Sequence, residues 1–244
     1  VSQSRNYEKA ESTPVAFTVS KARLVPSVNT LQSKTYDGDT NAEGTLTLSS
    51  TDGNPILSED AVALEAKGTF TWTSKDAGTN TVNVTGIALD SKFEDRYELT
   101  TSELSNVSCS GAKIENAQIK NVSVRQMMEL TYNGREQLPE VTATGSTIGG
   151  TAITFHYGLT AEQAADENEW LNYVPAFTDA GTHTVYYTAS AVNHDSVYGS
   201  FEIKIKNASI TGVDAAGYTG IYDGQSHGIK ITLSGNAGDG EILY

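Results

Sequence analysis

Along most of the chain, apolar and polar residues alternate one for one. In "SFEIKIKN" (residues 200–207), Phe201, Ile203 and Ile205 fall on one side and Glu202, Lys204 and Lys206 on the other. That is the period of a strand with one buried face. The stretches "TLTLSS", "AVALEA", "GTFTWT", "TVNVTG" and, at residues 15–20, "VAFTVS" alternate in the same way. Short strands are therefore predicted throughout. The Gly149 and Gly150 pair in "STIGGTAITF" predicts a tight hairpin, whose two central residues both take positive φ. One stretch breaks the pattern: in "TAEQAADENEW", Thr160 and Gln163 have capping-box spacing, which predicts a single short helix or an irregular loop.

The alternation itself repeats. "DAGTNTVNVT" begins at Asp76 and "DAGTHTVYYT" at Asp179, and seven of the ten positions agree. Three Ala-x-Leu/Ile junctions, at Ala22, Ala117 and Ala208, are spaced by 95 and 91 residues. Each is followed by a turn of one type: Tyr36-Asp37-Gly38, Tyr132-Asn133-Gly134 and Tyr222-Asp223-Gly224. Periods of this kind mark an array of modules. The expected division is 1–22 as the tail of a preceding repeat, 23–117 and 118–208 as complete units, and 209–244 as the start of a following, truncated one. On this reading the chain is a slice of a longer tandem array.

Units of this length with many short strands imply a β-sandwich. The expected fold class is all-β, with two tandem Ig-like β-sandwich modules and partial strands of flanking repeats at each end. Within D-A-G-T-x-T-V, the Gly supplies an angle other residues resist, the Asp caps the turn, and a strand follows. The phrase resembles the immunoglobulin pattern D-x-G-x-Y-x-C. Asn80 and His183 stand at the tyrosine position, and Val82 and Val185 at the cysteine position. The corner hydrogen bond and the inter-sheet disulfide are therefore expected to be missing, leaving the core to packing alone.

Two further resemblances rest on longer stretches. "KTYDGDTNAEGTLTL", "GTFTWTSKDAGTNTVNVTGIAL" and "RYEL", over about 34–99, resemble the YDG repeat of bacterial surface proteins. "TYNGREQLPEVTATG" and "PAFTDAGTHTVYYTASAVNHDSVYGSFEIKI", over about 131–205, resemble the MBG or bacterial Ig-like repeats. The resemblance implies tandem extracellular modules on large secreted or wall-anchored adhesin-like proteins. It carries no catalytic residues.

Charge narrows the partners. Lys plus Arg number 16 against 30 Asp plus Glu, a formal net charge of −14. Phosphate backbones and anionic lipid are repelled by such a field, so no nucleic acid is expected as a partner. No membrane insertion is expected either, since no apolar run approaches the roughly 20 residues a spanning helix needs. The first residues do not read as a signal peptide, which carries no weight for a slice of a longer chain. The lone Cys109 cannot form an internal disulfide, and between Ser108 and Ser110 it reads as a small packing residue.

No catalytic residues are expected. His156, His183, His194 and His227 occur without a nucleophile elbow, a metalloprotease helix, a phosphate loop or a C-x-x-C. Glu94 with Asp95, and Glu167 with Glu169, read as solvated loop charges. "LPEVT" at Leu138 resembles a sortase anchor but has Val141 at its fourth position and no apolar tail. Sequons at Asn83, Asn106, Asn121 and Asn207 would usually stay bare in a bacterium.

Two ligand sites are candidates. Asp37, Asp39, Asn41 and Glu43 in "YDGDTNAEG" alternate like the oxygen ligands of a calcium loop. An EF-hand would need Gly and Glu where Ala42 and Leu48 stand, and the other reading is a simple turn. Trp72 shares a strand face with Phe70 and is assigned to the core. Trp170 and Tyr173 lie in the polar stretch 158–177, where a loop on a rigid scaffold is a common binding site. Either they form a stacking platform, or Trp170 folds the loop back onto its sheet.

The expected function is a non-enzymatic extracellular repeat region, the stalk or adhesive shaft of a bacterial surface or secreted protein. The alternative is a carbohydrate- or host-protein-binding module using the 158–177 loop, with host or neighbouring-cell glycans or proteins as partners. An ancillary region of a surface hydrolase comes third. No cofactor is expected apart from the candidate calcium. The expected form is a monomeric rod, with head-to-tail self-association through the truncated ends as the open alternative.

Overall fold

The computed structural model describes residues 12–51, 53, 56–108 and 110–235. Cys109, residues 1–11 of the first flanking stretch and residues 236–244 of the last lie outside the described residues, with the readings made of them. The protein is all-β. Among the described residues the only α-helix is Ala161–Ala165, and no helix is long and apolar enough to cross a membrane. Two compact units divide the chain. One takes in residues up to Ser33, Thr40–Ser74 and Thr79–Lys113; the other takes in Lys34–Asp39, Lys75–Gly78 and residues from Ile114 onward.

The first unit holds two three-stranded sheets. In one, Ala22–Leu31 lies between Gly44–Ser50, which is antiparallel to it, and Tyr97–Leu99, which is parallel. In the other, Thr81–Leu89 lies between Ala66–Trp72 and Leu104–Ser108, all antiparallel. Phe70 faces Val84 and Trp72 faces Val82 across the ladder. Directly opposed residues share a face, so the alternation that assigned Trp72 to the core holds, and all four side chains are buried.

"AVALEA" does not form the expected strand. The carbonyls of Leu57 and Asp60 take the amides of Ala61 and Leu64, making helical turns, and the strand begins only at Ala66. The cause is tertiary. The buried carboxylate of Asp60 is held by Arg96 and Tyr97, and Leu64 packs on the cluster of Leu24, Phe93 and Tyr97. A local alternation of four residues cannot compete with that anchor.

The second unit packs a four-stranded sheet on a two-stranded one. The first runs Leu130–Thr131, Val197–Lys206, Gly181–Ser190, Thr154–Gly158, and the second pairs Lys120–Gln126 with Val141–Ser146. Tyr157, Val185, Tyr187, Ala189, Phe201 and Ile203 form the buried face of the larger sheet, and Val122, Val124 and Val141 of the smaller sheet close over it. Alternation along Val197–Lys206 therefore reads directly as inside and outside.

Gly149 and Gly150 both take positive φ, 73° and 68°, as the sequence requires. They do not make a hairpin. Val141–Ser146 pairs with Lys120–Gln126, whereas Thr154–Gly158 pairs with Gly181–Ser190, so the glycine turn carries the chain from one sheet to the other. The turn is set by bonds a hairpin would not offer: Ile148 donates its amide to Nε2 of His194, and Thr147 donates its hydroxyl to the carbonyl of Thr151.

Residues 15–20 also depart from expectation. Among the described residues no strand forms before Ala22, and Val15, Phe17 and Val19 are exposed. Alternation supplies a face but not a partner, and the ladder starts where the Ala22 amide meets the carbonyl of Arg96. Beyond Ala208, Ile210–Ala216 pairs antiparallel with Lys230–Gly235.

Candidate functional site

The loop 158–177 is built back onto the four-stranded sheet, its helix and Trp170 against Thr188 and His156, and Leu171, Val174 and Phe177 against the core cluster. Thr160 caps the short helix by accepting the amide of Gln163, and the Gln163 side chain accepts the amide of Leu159, one residue before the cap. This is the capping-box chemistry expected from the sequence, shifted by one residue on its return arm. Gly158 lets the helix sit close: a Cβ there would come within 2.6 Å of the Ala164 backbone nitrogen. Thr188, buried in the adjacent strand, donates its hydroxyl to the carbonyl of Ala164 and ties the helix down.

Past the helix, Leu171 exchanges both backbone hydrogen bonds with Tyr157, at 2.8 Å each. This brings the indole of Trp170 onto the imidazole of His156, with ring centroids 3.7 Å apart and planes 7° from parallel. His156 is held in turn by the side-chain oxygen of Asn172 at 2.9 Å. Trp170 is thus half-buried and stacked on its own sheet, while Tyr173 beside it is 62% exposed. The structure brings Trp170 and Tyr173 into one loop but gives one face of the indole an intramolecular occupant.

The four oxygen-bearing residues of "YDGDTNAEG" are placed differently. Asp37 and Asp39 share the ammonium of Lys34, 2.8 Å from Asp37. Burial pulls the Lys34 ammonium down, but hydrogen bonds to both carboxylates outweigh it and leave it raised. A lysine cation therefore neutralises the two carboxylates that a calcium loop would present. Asn41 lies on an isolated bridge to Thr71, and the carbonyl of Glu43 accepts the amide of Gln32; both belong to the first unit. Among the described residues, no group of three or more His, Cys, Asp or Glu could hold a metal ion.

The Tyr-Asx-Gly turns share one construction. The Asx side chain accepts the amide two residues on: Asp39 to Asp37 at 3.1 Å, Arg135 to Asn133 at 2.9 Å, and Gln225 to Asp223 at 2.9 Å. Each Gly takes positive φ: 89°, 73° and 75°. This is the Asx-turn followed by a left-handed glycine. The backbone of Gln225, and then His227, hold the Asp223 carboxyl below its ordinary value.

The surroundings of the first two turns match as well. Lys34–Thr35 runs parallel to Ile114–Glu115, and Leu130–Thr131 runs parallel to the end of Val197–Lys206. The amides of Tyr36 and Tyr132 donate to the carbonyls of Glu115 and Lys206, both at 2.8 Å. Likewise Ala22 pairs with Tyr97 and Ala117 with His194, each Ala donating to the preceding residue's carbonyl at 2.9 Å.

Several histidines and acids have structural employment that the sequence did not disclose. The expectation of a missing corner bond is corrected at His183, whose Nε2 meets the carbonyl of Asp179 at 2.8 Å while its ring stacks on Phe177. An imidazole thus reaches back across the turn as a tyrosine would. His194 is buried edge-on to Tyr36, with Nδ1 on the carbonyl of Val192 and Nε2 accepting from Ile148. Asn193, at φ 63°, binds both the amide of Ala77 and the carboxylate of Asp76, each at 3.1 Å. The Asp60, Arg96 and Tyr97 network also escaped prediction, because its members are 36 and 37 residues apart.

No curated protein and no solved structure gives a significant match to the chain. A family model does: residues 20–104 are a YDG domain.

Proposed function

We propose that the chain is a non-enzymatic extracellular repeat region, acting as the stalk or adhesive shaft of a bacterial surface or secreted protein. In this reading it comprises a YDG-type module and then an MBG or bacterial Ig-like module, each an Ig-like β-sandwich. The observation that carries it is the doubled hydrogen-bond plan around Tyr36 and Tyr132, the first copy lying within or beside the YDG match at 20–104. Side chains that could do chemistry are also in structural use: His183, His194, Asp60 and Arg96 all hold turns or loops in place. Repetition with structural use of polar groups suits a spacer, whose work is to stay folded and project what it carries.

The test is labelling of intact cells. An antibody raised against the folded chain should stain unpermeabilised cells of the source bacterium or detect the protein in culture medium, and surface proteolysis should remove the signal. Staining only after permeabilisation would refute the proposal. The exposed Tyr173 beside Trp170 favours the second reading, in which the 158–177 loop binds glycan or host protein. A glycan array distinguishes the two, since the spacer reading predicts no signal that depends on Trp170.

A further inference from the structure

Of the three Tyr-Asx-Gly turns, two are centred on aspartate, Asp37 and Asp223, and the middle one on Asn133. Asn133 is also the sequence's only asparagine followed by glycine. The difference matters chemically. A side-chain amide carbon is an electrophile within reach of the next residue's backbone nitrogen, whereas an ionised carboxylate repels a nucleophile. Glycine at that next position, having no Cβ, leaves the nitrogen unshielded.

The fold turns this pair toward reaction. Asn133 and Gly134 are both exposed, so water and hydroxide reach them. Gly134 takes φ 73°, and a Cβ there would meet nothing within 4 Å. The side-chain oxygen of Asn133 accepts the amide of Arg135 at 2.9 Å, which closes the Asx-turn around the Gly134 nitrogen. The Arg135 N–H thus stands at the oxygen on which negative charge grows when the Gly134 nitrogen attacks, the part a donor plays in an oxyanion hole. Attack within one turn also needs no encounter between separate molecules. We propose that Asn133 is a site of spontaneous, one-way modification, at which the folded turn promotes loss of the side-chain amide.

Base removes the proton of the Gly134 amide, and its nitrogen bonds to Cγ of Asn133. The Cγ–Nδ2 bond breaks, and the leaving nitrogen takes a proton from solvent and departs as ammonia. Water then opens the resulting cyclic imide at one of its two carbonyls. Opening at Cγ restores the ordinary main chain with an aspartate side chain. Opening at the backbone carbonyl routes the main chain through Cγ as an isoaspartyl link. One water is consumed and one ammonia released, with no oxidant or reductant.

The sibling turns and the local anchors show what each product does. Asp37 and Asp223 already accept the amide two residues on, with their glycines at positive φ, so the aspartate product keeps the turn and adds one negative charge to the formal −14. The isoaspartyl product lengthens the main chain between two fixed points. On one side Tyr132 donates its amide to the carbonyl of Lys206 at 2.8 Å; on the other Gln137 exchanges backbone bonds with Phe177 at 2.9 and 3.0 Å. A longer link between these anchors loosens the turn and the parallel pairing of Leu130–Thr131 beside it. The proposal rests on the chemistry of the turn and is independent of the surface location.

The test ages the full chain at pH 8, digests it and follows every asparagine by liquid chromatography and mass spectrometry. The Asn133 peptide should exchange its amide for a carboxyl on the order of tenfold faster than any other asparagine peptide, and elute in two product forms. Asn133→Gln should abolish the change, because the longer side chain would have to close a larger ring. Repeating the ageing in guanidinium chloride releases the turn and keeps the sequence, and the folded chain should react at least as fast as the denatured one. Asn133→Asp should keep amide-exchange protection at Tyr132, while the isoaspartyl fraction of the aged chain loses it. The proposal is overturned if Asn133 reacts no faster than the other asparagines, or if folding protects it relative to the denatured chain. It is equally overturned if the change persists in Asn133→Gln.

Discussion

The phenol of Tyr97 donates to the buried carboxylate of Asp60 at 2.8 Å, and the same carboxylate receives Arg96 through both of its oxygens at 2.9 Å. Tyr97 also accepts the amide of Leu57 at 3.1 Å. The turns around Asp60 are thereby fixed to the parallel strand Tyr97–Leu99. Arg96 lies over the ring of Phe93, its guanidinium carbon 5.6 Å from the centroid, so its charge is shared between a carboxylate and an aromatic face.

The partners differ in burial, and this predicts an asymmetry. Asp60 is 6% exposed at its side chain and Arg96 is 40% exposed. Arg96→Met strands a buried carboxylate and should cost about 3 kcal/mol. Asp60→Asn leaves an arginine that can turn to water and should cost about 1–2 kcal/mol. Urea denaturation of the two variants checks the order, and equal costs would mean that the network is not closed as described.

Alkaline pH supplies a second expectation. Burial, reinforced by Asp60, pushes the Tyr97 phenol above its ordinary value, and burial does the same for Tyr157. Their folded pKa lies above the unfolded value of about 10. The unfolded chain therefore releases these protons first as pH rises. Stability is complete below about pH 10 and falls as pH climbs toward the folded values. The raised Lys34 acts in the same direction and the same window. Denaturation midpoints between pH 8 and 11 should decline, and Tyr97→Phe with Tyr157→Phe should flatten the decline while lowering stability at pH 8. An unchanged slope contradicts the assignment.

Trp170→Ala removes an indole stacked 3.7 Å from His156 and should lower stability by about 1–2 kcal/mol. Thr160→Ala, which removes the helix cap, should cost about 1 kcal/mol by a separate route. Thermal denaturation measures both. Wild-type melting retained in Trp170→Ala would mean that the stack does not hold the loop, and would free the indole for a ligand.

The sequence was most readable where a signal is local. Alternation placed Trp72 and Phe70 inside, Thr160 and Gln163 fixed the helix start, and Gly78 and Gly181 of the repeated phrase took their positive φ. It was least readable where partners lie far apart. "AVALEA" lost its strand to an aspartate bound 36 residues away, and the Gly149 and Gly150 turn, correct in its angles, joined two sheets because the pairing of its flanking strands was decided elsewhere. At the candidate calcium residues the contact is local but outside the motif that was read. Lys34, which sits between Asp37 and Asp39, precedes the motif and belongs to no ligand pattern.

The repeated hydrogen-bond plan is the claim on which the rest depends, and amide hydrogen exchange in dilute solution tests it most directly. The amides of Tyr36 and Tyr132 are bonded to Glu115 and Lys206, whereas residues 220–222 pair with no strand among the described residues. The account predicts strong protection at Tyr36 and Tyr132, with Tyr222 exchanging at close to the rate of an unstructured chain. Exchange at Tyr36 or Tyr132 as fast as at Tyr222 would contradict it.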